Sequence, residues 1–128
     1  MLKLILMAAA VFVTQQVSAG VVISNSKLSL TKADILTIYT GGMKSSGGVD
    51  LALTDNKSAM DDFTTKALSM PSGKYTSLWA KKSFQEGLAT PKVKESDNEV
   101  IEFVKSNPGG VGYISGATPA GVKEVGSY

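Results

Sequence analysis

The chain has no cysteine and no histidine, and all 13 of its basic residues are lysine. Each absence removes a chemistry. Without Cys there is no disulfide and no thiolate nucleophile, so the fold must hold by packing alone. Without His, transition-metal sites lack their commonest ligand, and acid–base work near neutral pH falls to Asp, Glu or Lys with a shifted pKa. Without Arg there is no planar fork for a phosphate or carboxylate. Charge of either sign is also scarce: 19% of residues are charged, for a net +2. That balance lacks the basic stripe of a nucleic-acid binder. No acidic loop has calcium spacing. The composition argues against a metalloprotein and a nucleic-acid-binding protein, and no motif calls for a cofactor.

What is present begins with an export signal. Lys3 precedes an apolar run over residues 4–13, then Thr14-Gln15-Gln16 and the small-residue exit Val17-Ser18-Ala19. This is the layout of a secretory signal peptide, with cleavage expected after Ala19. The other reading is an uncleaved anchor, but the run falls short of the about 20 apolar residues a bilayer crossing takes. No Cys near the cleavage site means no lipoprotein anchor. We therefore expect residues 1–19 to be removed and residues 20–128 to form one domain, periplasmic and with no stable membrane anchor. At 43% hydrophobic, the chain has the composition of an ordinary globular domain.

Short strands alternate with amphipathic helices along this domain. Residues 21–24 (VVIS) predict a strand. Thr31 and Asp34, three apart, predict a helix starting at Thr31, with Ile35, Leu36, Ile38 and Tyr39 on one side and Gly41-Gly42 as its stop. Residues 41–48 (GGMKSSGG) have the composition of a flexible loop. Residues 49–53 (VDLAL) predict a second strand, and residues 54–58 (TDNKS) a polar turn opening a helix with Met60, Phe63, Ala67 and Leu68 on one face. After Pro71, Ser72 is expected to cap a helix that places Tyr75, Leu78, Trp79 and the Lys82 stem together. Residues 83–94, with Gly87 and Pro91, predict an extended crossing segment. Ser96 and Glu99 form the signature of a capping box; Val100, Ile101, Phe103 and Val104 make that helix apolar on one side. Asn107-Pro108-Gly109-Gly110 ends it, residues 111–115 predict a strand, and residues 121–125 a last edge strand. The pattern predicts an α/β domain: a small mixed sheet flanked by helices.

Few constellations carry chemistry. Gly109-Gly110-x-Gly112 stands after a helix and before a strand, the reverse of a dinucleotide fingerprint, and reads as a turn. Lys44 with Ser45-Ser46 has a Ser–Lys composition but no oxyanion hole beside it. Asp61 and Asp62 occupy adjacent helical positions and do not converge on one atom. Tyr75, Leu78 and Trp79 at helical spacing read as core rather than as a stacking platform.

Four segments carry a resemblance. Residues 21–24 followed by Leu28-Ser29-Leu30-Thr31 and the 35–39 helix are one; residues 49–58 are the second. Leu78-Trp79 with Ser83-Phe84-Gln85-Glu86-Gly87 are the third, and residues 98–114 with Asn107-Pro108-Gly109-Gly110-Val111-Gly112-Tyr113 the fourth. In this order they resemble the short single-domain members of the phosphate ABC transporter substrate-binding family, relatives of the type II periplasmic binding proteins. The last segment is the most specific. The resemblance implies a single lobe of a two-lobed clamp, an exported non-catalytic solute-binding-like protein, phosphate or another small oxyanion as ligand, and an ABC transporter permease or a second lobe or copy as partner.

It also implies a site. Ser24 ends the first strand and Asn25 opens the loop after it; Thr54, Asp55, Asn56, Lys57, Ser58 and Ala59 stand where the family's ligand loop would be. Asp55 matches its loop Asp and Ser58 the Ser of its Ser-Gly-Thr-Arg element. Ala59 replaces the Gly, Met60 the Thr, and Asp61 the Arg. The last change reverses a charge, worth about 1 kcal/mol against an anion at 4 Å in water and more as water is excluded. Backbone N–H groups at a helix start and short hydroxyls would be the remaining donors. The plainer reading of Asp55, Asn56 and Ser58 is that they cap the following helix. Two functions stay open at this point: a solute-binding-like protein, and a periplasmic accessory protein that has kept the lobe and lost the ligand. An enzyme is not expected, and neither a metal nor a cofactor is.

Overall fold

A computed structural model describes residues 20–128; the signal-peptide expectation for residues 1–19 lies outside the described residues. Strand β1 (Val21–Asn25) is buried at every position and leads to helix α1 (Asp34–Tyr39). The short strands β2 (Ser45–Ser46) and β3 (Val49–Asp50) precede β4 (Ala52–Asn56). Helices α2 (Met60–Ala67) and α3 (Ser72–Glu86) then lead to β5 (Lys92–Lys94). Helix α4 (Asp97–Ser106), β6 (Gly110–Ile114) and β7 (Val122–Ser127) complete the chain. No helix among the described residues is long and apolar enough to cross a membrane.

Five strands make one mixed sheet in the order β5-β4-β6-β1-β7. β4 runs parallel to β5 and β6, each reached through helical crossovers, as parallel pairing requires. β1 runs antiparallel to both β6 and β7. Side-chain alternation then sorts the core into two layers. Val21 and Ile23 of β1 and Ile114 of β6 pack against Val100 and Val104 of α4. Val22, Val111 and Tyr113 point to the other side, where α1, α2 and α3 supply Ile38, Tyr39, Phe63, Tyr75 and Trp79. There Phe63 stacks on Tyr113 at 3.8 Å between centroids, with Tyr39 and Tyr128 edge-on to Phe63. The expected mixed sheet flanked by helices is what forms.

Local signals explain where elements start and stop, and where the structure departs from the sequence reading. Helix α1 begins at Asp34, three residues after Thr31, because a turn of i→i+3 bonds opens it (Asp34 N to Thr31 O, Ile35 N to Lys32 O). The Asp34 carboxylate still accepts from Thr31 N and Oγ1. Residues 45–50 are not a loop but a tight hairpin: Gly47 and Gly48 both have positive φ, 57° and 83°, as a two-residue type I′ turn demands. The expected single strand over 49–53 is broken at Leu51, whose N–H donates to Lys44 O at the hairpin base. Pro71, not Ser72, occupies the N-cap of α3. That helix runs on to Glu86, so the expected extended segment over 83–94 is in fact a helix end, a short connection and β5. At α4 the Ser96 side chain accepts from Glu99 N, while Glu99 Oε1 reaches back to Glu95 N, one residue beyond the partner a capping box implies.

Gly112 is set by close approach. A Cβ there would collide with Thr54 Oγ1 and Val100 Cγ1, across the gap between β6, β4 and α4. A Cβ added at Gly73, near the start of α3, would meet nothing within 4 Å beyond its chain neighbours and its own helix backbone. Gly112→Ala is therefore expected to lower stability by about 1–3 kcal/mol through overpacking. Gly73→Ala is expected to be neutral or to add up to about 0.5 kcal/mol. Urea unfolding midpoints of the two variants check the contrast.

Candidate functional site

β4 ends in three polar residues that lie inside the molecule: Thr54 is 0%, Asp55 5% and Asn56 0% exposed. The sequence reading made them a turn; they are the last three residues of the strand. Burial obliges each polar atom to find a partner. Thr54 Oγ1 donates to Val111 O at 3.4 Å, and its carbonyl accepts from Tyr39 OH at 2.9 Å. Asn56 uses its whole capacity of two donors and two acceptor positions. Its Nδ2 donates to Tyr113 O (3.0 Å) and Asp97 Oδ1 (2.7 Å); its Oδ1 accepts from Ser58 N (3.1 Å) and Ser58 Oγ (2.6 Å).

Asp55 points to the aromatic side of the sheet. Its Oδ1 accepts from Tyr75 OH at 2.7 Å and Tyr113 OH at 3.0 Å. Burial pushes its pKa above the ordinary carboxylate value, and the two hydroxyl bonds only partly offset this. Burial first, and then the Asp55 charge, raise both tyrosines in turn. Asp55 is thus a buried acid in an aromatic pocket, with no other charged group in hydrogen-bond contact.

The carboxyl ends of β4 and β6 form one rim. Lys57 and Ser58 are exposed there, and Ala59, buried, is the N-cap of α2. No side chain caps that helix, so Asp55, Asn56 and Ser58 do not serve as its caps. Lys57 reaches toward Glu95 at 3.9 Å across an open surface, an ion pair of small energetic weight. Asp97, in the first turn of α4, accepts from Ser115 N at 3.2 Å, from Ser115 Oγ at 2.8 Å, and from Asn56. The sequence reading missed Asp97 and Ser115; the only signal for Asp97 was its place beside the Ser96 cap. Asp61 and Asp62 add negative charge to the first turn of α2, with Asp62 paired to Lys66 at 3.0 Å.

Ser24 and Asn25 lie apart from this rim by function. Both are buried. Asn25 Nδ2 donates to the carbonyls of Val104 and Lys105, closing the last turn of α4, and its Oδ1 accepts from Lys27 N. Ser24 Oγ donates to Asn25 O. The structure brings Thr54, Asp55, Asn56, Ser58 and Ala59 together, and places Asn25 at the opposite end of α4. Among the described residues, no cluster of acidic side chains has the grouping of a metal site.

The geometry yields a pH prediction. Because the folded-state pKa of Asp55 is raised, the folded protein holds a proton that the unfolded chain has released. Stability contributed by this group is therefore present at low pH and lost as pH rises through the raised value. Asp55→Asn keeps the acceptor oxygen and removes the charge. Wild type is expected to lose stability relative to Asp55→Asn as pH rises above the ordinary carboxylate value of about 4, in urea unfolding at each pH. Parallel curves would contradict the burial argument.

No family model and no curated protein matches this chain. Among solved structures, it is similar to an ABC-type phosphate transport receptor from Vibrio cholerae, with a TM-score of 0.51 and 17% identity over 84% of this chain. The chain spans 45% of that receptor's length. At this identity the likeness speaks for the fold alone: a five-stranded mixed sheet flanked by helices.

Proposed function

We propose that this chain is a non-catalytic, exported solute-binding-like lobe whose binding rim lies at the carboxyl ends of β4 and β6. The carrying observation is the likeness of its sheet and helices to a phosphate transport receptor over 84% of this chain. In open α/β sheets ligands sit outside the carboxyl ends of the strands, which here is the rim of Lys57, Ser58, Asp97 and Ser115. The buried polar residues behind it supply no free acid–base pair: Asp55 faces only tyrosine hydroxyls. A small oxyanion, phosphate among them, is the ligand class in this reading, held by Ser58 and Lys57 and by the start of α2. A second lobe, a second copy or an ABC permease would supply the facing wall.

One observation favours the second reading, a periplasmic accessory lobe that binds no free ion. Asp97 already places a carboxylate on the Ser115 N–H, the Ser115 hydroxyl and the Asn56 amide, donors that would otherwise suit an anion. Asp61 and Asp62 repel one from the neighbouring helix start.

Thermal unfolding and calorimetric titration with phosphate and sulfate decide between the readings. Solute binding predicts a saturable rise in Tm at millimolar anion, reduced in Lys57→Ala at low salt. An unchanged Tm, with the protein folded, rejects the oxyanion and leaves the accessory lobe.

A further inference from the structure

The opposite end of the sheet holds a different feature. At the amino ends of β4 and β5 lies a cleft of about 330 Å³. Its floor and walls are Leu51, Leu53, Trp79, Leu88 and Phe103, with Met43 beside them. Three features shape its surroundings. Leu51 N donates to Lys44 O and Ala52 N to Gly109 O, fixing the start of β4. Trp79 Nε1 donates to Tyr39 O at 2.9 Å, which satisfies the indole's polar atom inside the core and leaves only ring carbon for the cleft. The chain after α3 adds Leu88, Ala89 and Thr90 to the lining.

The charged groups that line it are all of one sign. Lys44 and Lys92 belong to the lining, and no acidic residue does. Neither lysine takes part in an ion pair among the described residues. An apolar chamber with cations at its rim is complementary to a ligand with an apolar body and one negative end. Small-molecule sites have this character: clefts of roughly 300–1,000 Å³, mostly apolar, with a few orienting polar groups. At roughly 30 Å³ per water-sized group, the cleft holds about ten non-hydrogen atoms. Separate lysine point charges suit a carboxylate; the bidentate fork that favours a phosphate is missing.

We propose that this cleft is a binding site for a compact amphipathic monocarboxylate, its apolar body against Trp79, Leu53 and Phe103 and its carboxylate between Lys44 and Lys92. The site is separate from the rim at the carboxyl ends of β4 and β6 and does not depend on how that rim is used.

Trp79 is the sole tryptophan, so its emission reports directly on the cleft. The probe is 3-phenylpropionate, with 3-phenylpropanol as its uncharged counterpart, titrated into the purified protein at low salt. The expected result is a saturable change in Trp79 emission below about 10 mM, in keeping with the affinity ceiling of so small a ligand. The alcohol should bind about threefold or more weaker, and Lys44→Ala with Lys92→Ala should weaken the acid by a similar factor without affecting the alcohol. Ala89→Phe, at an exposed position of the lining, should abolish both signals while leaving the urea midpoint unchanged. Excess phosphate should not displace the probe, which separates this result from anion binding at the rim. The absence of a saturable change, equal binding of acid and alcohol, or a dimer in sedimentation that buries the cleft would each overturn the proposal.

Discussion

The molecule depends on a polar strand end that has no access to water. Thr54, Asp55 and Asn56 bring a hydroxyl, a carboxyl and a side-chain amide into the interior. An unpartnered buried polar group costs about 1–3 kcal/mol, so such a strand is tolerable only if the rest of the chain meets it. It does: among the described residues, no buried side-chain nitrogen or oxygen lacks a partner. Tyr75 comes from α3, Tyr113 from β6, Asp97 from α4, and Ser58 from the turn into α2. One strand end thereby fixes the position of three helices and a neighbouring strand. In a small domain without disulfides, this network supplies a unique geometry that apolar packing alone specifies less sharply.

Alternation along β4 gives the three residues different work. Asp55 faces the aromatic layer and binds two phenols there, so its ionisation opposes folding rather than supporting it. Thr54 and Asn56 face α4, where Gly112 leaves room for the Thr54 hydroxyl and Asn56 joins the Asp97 carboxylate. The same stretch is thus both core and the back of the rim. A ligand bound at Ser58 would be one hydrogen bond away from Asn56, and one at Ser115 two, through Asp97; Asn56 in turn bonds Tyr113 O on the strand that carries the second phenol. Any contact made at the rim is mechanically tied to the centre of the sheet.

This arrangement also shows what was legible in one dimension. The stretch from Ser96 to Ile114 could be read closely, because its signals are local: a cap, an apolar periodicity, a Pro-Gly-Gly reversal, a β-branched run. Trp79 and Tyr75 were recognisable as core by their helical spacing. Thr54, Asp55 and Asn56 were not, since polar residues of these types most often mark turns; their partners lie between 2 and 58 positions away in sequence. Pro91 and Gly87 suggested an extended segment, although the helix before them runs to Glu86 and only then stops. Gly47-Gly48 was read as looseness, where two positive φ angles make a tight reversal. Residues 57–59 do stand between a strand and a helix, as the sequence pattern implies, while Asp97 and Ser115, which lie beside them, come from elsewhere in the chain and carry no motif.

The two ends of the sheet therefore differ in what binding capacity they have left. At the carboxyl end, the Asn56, Ser58 and Ser115 donors are already taken, and Asp61, Asp62 and Asp97 place negative charge beside them. A free anion arriving there must displace or repel an internal carboxylate. At the amino end the polar atoms are also satisfied, yet the side chains around the cleft leave apolar surface and two lysines uncovered. Uncovered apolar surface is worth about 25 cal/mol per Å² when a ligand removes it from water, and no internal group competes for it. For an α/β domain without arginine, the apolar surface left uncovered thus lies at the end of the sheet where the usual rule for open α/β sheets does not place a ligand.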